Sequence, residues 1–160
     1  MRSRHITCLL LSIAITAPLP ASPQSLPDLT RTPGATNPAV TQENRDATIC
    51  RRGWTHSVRP PAGFTAALKK YQLQEWGYAD KTARNYEEDH LIPLSLGGSP
   101  DDQRNLWPEP RHPADGWNAG LKDALEATLN FQVCTGRLML LDAQRLIATD
   151  WIEAYRRFVR

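Results

Sequence analysis

The stretch Tyr86-Glu87-Glu88-Asp89-His90-Leu91-Ile92-Pro93-Leu94-Ser95-Leu96-Gly97-Gly98 sets a carboxylate beside an imidazole, and Asn105-Leu106-Trp107-Pro108-Glu109-Pro110 comes a few residues later. The Asp89 carboxylate is a hard oxygen ligand, suited to an ion such as Mg²⁺ that keeps several waters and binds substrate phosphates. The neutral imidazole of His90 can take a proton from water near neutral pH. Beside a scissile phosphate the two would supply a metal Lewis acid, held by the carboxylate, and a general base. Asn105 does not titrate; it can orient a histidine or hold a loop by hydrogen bonds. Glu87 and Glu88 either tune such a site or stand as solvated acids flanking it.

These residues need elements to hold them. Asn85 to Leu91 has no helical period and runs into Ile92-Pro93, which predicts a short strand ending there. Gly97-Gly98 and Ser99-Pro100-Asp101-Asp102 are turn material. Asn105-Leu106-Trp107 predicts a second short strand closed by Pro108, so the two form an irregular hairpin. In a regular strand Asp89 and His90 point to opposite faces, and they share a site only if the strand ends or bulges there. A loop from Glu109 to Gly116 leads to a helix from about Trp117 to Val133, with Leu121, Leu125, Thr128 and Leu129 on one face. A last helix is expected over Leu141 to Phe158. Upstream, the lead-in from Cys50 to Gly63 reads as extended, and Thr65 caps a helix from Ala66 to about Trp76.

Arg2 and Arg4 precede an apolar run from Ile6 to Ala17, the pattern of a secretory signal peptide over residues 1–21. The run is short of the ~20 apolar residues a bilayer span needs. The mature chain is therefore expected to be exported, periplasmic or secreted, without stable membrane insertion. Residues 22–44, rich in proline and small polar residues, read as a flexible linker, leaving 45–160 as the domain. Cys50 and Cys134 then remain as an even pair, which predicts one disulfide in an exported protein, contributing ~4 kcal/mol.

Cleavage after residue 21 removes two arginines and leaves 17 basic against 17 acidic side chains, so net charge gives no support for nucleic-acid binding. The charge is nonetheless segregated. Residues 45–84 carry eight basic and three acidic side chains, 85–126 carry three and nine, and 127–160 carry five and three. Such an arrangement suits a cation site beside an anion-binding surface; ordinary solvated faces neutralising one another also account for it.

The motif DHLIPLSLGG with NLW after it resembles the signature of the HNH, or His-Me finger, nucleases. The wider pattern, from Cys50 through NLWPEP to Lys122-Asp123, is similar to a group of small exported proteins related to them. The resemblance implies an α+β fold: a small ββα-metal core with flanking helices and one disulfide. It implies a metal-dependent endonuclease acting on DNA or RNA, with His90 as general base, Asp89 as ligand of Mg²⁺ or Mn²⁺, and Asn105 as the central asparagine. The family's third position, a His or Asn early in the helix, is not matched directly. Asn118 is the preferred ligand, with His112, Asp115, Asp123 or none as alternatives. Arg51, Arg52, Arg59 and Lys122 are the candidates for phosphate contact. The rival expectation is an exported binding or structural module that keeps the ββα scaffold without catalysis. A third is a secreted toxin-like effector with the same chemistry.

Overall fold

The structure is a computed structural model that describes residues 25–159; the predicted signal peptide lies outside them. The chain is mixed α+β, with four helices, one two-stranded antiparallel sheet and one disulfide among the described residues. No helix among the described residues is long and apolar enough to cross a membrane.

Tyr86–His90 (β1) pairs with Leu106–Pro110 (β2), from Tyr86 opposite Pro110 to His90 opposite Leu106. Leu91 N–H donates to the Asn105 carbonyl and Arg111 N–H to the Asn85 carbonyl. The hydrogen-bonded pairs therefore include Glu87 with Glu109 and Asp89 with Trp107. Pro108 and Pro110 take the alternate positions, where a backbone N–H would face away from β1. The expectation that Pro108 closes the strand is corrected for this reason: its ring removes a donor that the ladder does not use. The outward carbonyls of β2 are satisfied from outside the sheet. Leu106 accepts from Gln72 Nε2 at 3.0 Å and Pro108 from the Tyr78 hydroxyl at 3.1 Å. Gln72 belongs to the helix Ala62–Glu75, which starts earlier than the expected cap at Thr65, with Pro61 as its N-cap.

The loop between the strands is built on two glycines. Gly97 has φ 71°, and a Cβ on Gly98 would lie 1.7 Å from the Ile92 carbonyl oxygen. Asn105, fully buried, locks the same approach: its Oδ1 accepts from Ile92 N–H, and its Nδ2 donates to the carbonyls of Ile92 and Ser99. Gly98→Ala is expected to lower unfolding stability by about 3 kcal/mol, because backbone must shift to admit the methyl. A urea titration reads this directly, and a wild-type midpoint would count against the close approach as the reason for Gly98.

Behind the hairpin, Ala119–Cys134 and Leu140–Phe158 pack on one another. Leu125, Leu129, Val133, Ala143, Ile147 and Trp151 are all fully buried there. The second of these helices breaks at Asp150 (φ −161°, ψ 96°), whose carboxylate accepts from Glu153 N–H and so caps the continuing half. Cys50 and Cys134 form the expected disulfide, with Cα atoms 5.6 Å apart. It joins the end of the first of these helices to the residues before a short helix, Trp54–Val58. That short helix lies in the stretch expected to be extended; five residues are too few to show a period.

Residues 25–44, expected to be a flexible linker, are instead packed on the domain. Ser25, Thr32 and Val40 are buried. Gly34 N–H bonds to the Arg104 carbonyl, Asn37 N–H to that of Gly97, and the Ala35 carbonyl accepts from Ser99 N–H. The Trp151 indole donates to the Ser25 carbonyl at 2.8 Å. The segment is ordered by backbone pairing with an irregular loop, which needs no periodic apolar pattern and so leaves none to read.

Numbered in chain order, the helices are α1 (Trp54–Val58), α2 (Ala62–Glu75), α3 (Ala119–Cys134) and α4 (Leu140–Phe158).

Candidate functional site at the free edge of β1

A cleft of about 190 Å³ runs along the edge of β1 that has no strand partner. Glu87, Glu88, Asp89 and His90 line it in succession, with Arg59 after α1 and Asp123 and Glu126 from α3. The ladder runs without a bulge to His90. Asp89 and His90 share the cleft because it wraps the strand edge, and consecutive side chains reach it from both faces.

His90 is 5% exposed, and its Nε2 lies 2.9 Å from the Pro100 carbonyl oxygen. A carbonyl only accepts, so Nε2 carries the hydrogen and the neutral ring keeps its lone pair on Nδ1. Burial pulls the pKa of the ring below its ordinary value, against the Pro100 bond and the Asp89 charge that raise it. The imidazole is therefore neutral at neutral pH, with a free basic nitrogen. Asn105 acts one step back. By holding the Ser99 carbonyl it pins the loop that presents Pro100 to the ring. All three of its side-chain hydrogen bonds go to backbone of the interstrand loop, the holding role that the sequence leaves open to it.

Below the edge lies an acidic group. Glu87 and Asp89 are two apart on one face of β1 and Glu109 is opposite Glu87, so a carboxylate oxygen from each lies within 4.8 Å of the others. Three oxygens so placed could hold a metal ion. Glu87 pairs with Arg111 at 2.7 Å. Glu109 is 1% exposed and its Oε1 has no hydrogen-bond partner. Burial, reinforced by the Asp89 charge, pushes its carboxyl well above the usual range.

Lys122, expected at a nucleic-acid surface, is the clearest departure: it is fully buried. Its ammonium donates to Asp89 Oδ2 at 2.5 Å, to Glu126 Oε1 at 2.5 Å and to the His90 carbonyl at 2.9 Å. Burial works against the charge, but Asp89, Glu126 and Glu109 outweigh it and hold the ammonium above its ordinary pKa. The sequence carries a signal for this. Lys122 falls on the α3 stripe with Ala119, Leu125, Leu129 and Val133, and Glu126 stands four residues on.

The expected pair of metal ligands, Asp89 and Asn118, does not fit a divalent ion. Asn118 is the N-cap of α3, its Oδ1 accepting from Leu121 N–H at 3.3 Å. One Asp89 oxygen is already bonded to Lys122. Among the alternatives, His112 is exposed and Asp115 bonds to Ser25 and Trp117. Of these alternatives only Asp123 lines the cleft. Of the arginines, Arg59 reaches the cleft; Arg51 and Arg52 are exposed and do not line it.

Glu88, on the other face of β1, has both carboxylate oxygens buried without a partner. Burial pushes it up to about 8, with the Lys69 ammonium opposing. Between its ordinary value of 4.5 and about 8 the folded chain holds a proton that the unfolded chain has released, so stability falls as pH rises through that window. His90 has the opposite sign: its contribution is present above the ordinary value of 6.5 and is lost as pH falls through the depressed one. Glu88→Gln is expected to flatten the fall on the alkaline side. Urea titrations near pH 5 and near pH 8 measure it, and an unchanged difference would place the fall elsewhere.

Comparison with protein-family models, curated proteins and solved structures returns no match to this chain.

Proposed function

We propose that the chain is an HNH-like endonuclease that hydrolyses phosphodiester bonds of DNA or RNA, with His90 as general base. The observation that carries this reading is the His90 ring, neutral and held by Pro100 with Nδ1 left basic, in a cleft edged by acids and one arginine. On this reading β1, β2 and α3 make up a ββα unit. His90 Nδ1 takes a proton from water, and the hydroxide attacks phosphorus. The bond from phosphorus to the leaving oxygen breaks, and that oxygen takes a proton from solvent. Arg59 is placed to meet the negative charge of the phosphate. A divalent ion, the cofactor this family implies, would act as a Lewis acid. Asn118 caps α3 and one Asp89 oxygen is bonded to Lys122, so this pair does not hold the ion. Export belongs to the same proposal, since a structural disulfide belongs to an oxidising compartment.

A second reading, a binding module without catalysis, is favoured by the acidity of the cleft, which repels a phosphate backbone unless a cation offsets it. Plasmid and RNA cleavage by the oxidised chain, in Mg²⁺, in Mn²⁺ and in EDTA, separates the two. Cleavage in at least one condition is expected. None in any condition, on either substrate, would leave the binding module.

A further inference from the structure

Lys122 is a lysine that the fold has turned inward onto the cleft. Its ammonium has three donors, and all three are used on oxygens of the site: Asp89 Oδ2, Glu126 Oε1 and the His90 carbonyl. Two of these oxygens are anionic and one is a backbone carbonyl, the donor types that a hard cation collects. A lysine serving only to neutralise its neighbour on α3 would need Glu126 alone. This one also crosses to β1, bonding the residue read as the metal ligand and the backbone of the residue read as the base. The His90 carbonyl points off the unpaired edge of β1, where no strand supplies an N–H, and Lys122 is the donor it has. Asn118, meanwhile, is spent on capping α3.

We propose that Lys122 is the resident cation of this cleft: it occupies Asp89 in place of a divalent ion and fixes the Asp89 carboxylate and the His90 backbone together. On this proposal the Glu87, Asp89 and Glu109 group takes up no divalent ion, because Lys122 on Asp89 and Arg111 on Glu87 already balance its charge. The catalytic corollary, that cleavage proceeds without added metal, rests on the phosphodiester reading; the binding statement does not.

The test uses the full oxidised chain and Mn²⁺ itself as probe. Mn²⁺ titration monitored by electron paramagnetic resonance is expected to show no binding that Asp89→Asn abolishes. The Lys122 ammonium is expected to give a slowly exchanging ¹H–¹⁵N signal at neutral pH that excess Mg²⁺ leaves in place. Stoichiometric Mn²⁺ binding lost in Asp89→Asn, or loss of the ammonium signal on adding Mg²⁺, would overturn the proposal. Neither readout needs a Lys122 variant that folds. The nuclease arm is read separately. Cleavage in EDTA that His90→Ala removes supports the corollary. Cleavage only with a divalent ion, and lost in Asp89→Asn, overturns the proposal and leaves the phosphodiester reading standing. Absence of cleavage in every condition overturns that reading alone, while the Mn²⁺ and ammonium results still decide the role of Lys122.

Discussion

His90→Ala is expected to lower nucleic-acid cleavage by about a hundredfold to ten-thousandfold, the range a positioned general base contributes. The cleft offers carboxylates as substitutes, but those on β1 are held by other work. Asp89 is bonded to Lys122, Glu87 to Arg111, and Glu88 is kept protonated by burial up to about pH 8. The depressed pKa of His90 adds a second signature. Activity of the wild type should rise with pH through a value below 6.5 and stay level above it, since the base is the neutral ring. A His90→Ala chain with wild-type cleavage would remove His90 from the chemistry. Asn105→Ala separates positioning from catalysis: it also slows cleavage, but with a lower urea midpoint, because Asn105 carries three hydrogen bonds of the interstrand loop.

Lys122→Ala is expected to cost about 3–5 kcal/mol of stability at neutral pH, the range for breaking a buried ion pair by removing one partner. The loss comes less from the bonds than from what remains. Asp89 and Glu126 are left as half-buried charges without a cation, and the His90 carbonyl without its donor. The deficit should therefore shrink at lower pH, where the Glu126 carboxyl, which burial already pushes up, takes up a proton. Combining Lys122→Met with Asp89→Asn and Glu126→Gln removes the charges together and should recover part of the loss. Urea titrations of the single and triple variants near pH 5 and near pH 8 measure both effects. An exposed, freely solvated Lys122 would give changes within about 0.5 kcal/mol.

Much of the scaffold is legible in residue patterns. The hairpin, α3, α4 and the Cys50–Cys134 bond each leave a local mark: turn residues between apolar runs, a helical stripe, an even pair of thiols. What escapes depends on pairing at a distance. The ladder register decides that Pro108 costs nothing, and no local rule gives the register. The segment 25–44 is fixed by backbone bonds to a loop far along the chain, as when Asn37 N–H meets Gly97. Within the site, Asp89 and His90 are singled out in the sequence by the combined spacing of Asp-His, Gly-Gly and Asn105, and both line the cleft. The rule that lysines face water misplaces Lys122. Its position on an otherwise apolar stripe is the contrary sign, and its partners on β1 become visible only in three dimensions. Reading Asn118 as a ligand overlooks that its helix needs a cap.

The ordered segment before α1 also bears on how the chain reaches its native state. Ser25 waits for Trp151, 126 positions later, and Gln42 for Leu140, 98 positions later. Contacts this distant in sequence close late, since the entropy of the intervening loop must be lost first. During synthesis the segment emerges before anything it can bind. The α3–α4 pair, whose contacts are local, can collapse without it, leaving Val40 and the Trp151 indole uncovered in the interval. The docking of this strap is therefore expected as the final step of folding, with the interval before it the one most exposed to aggregation.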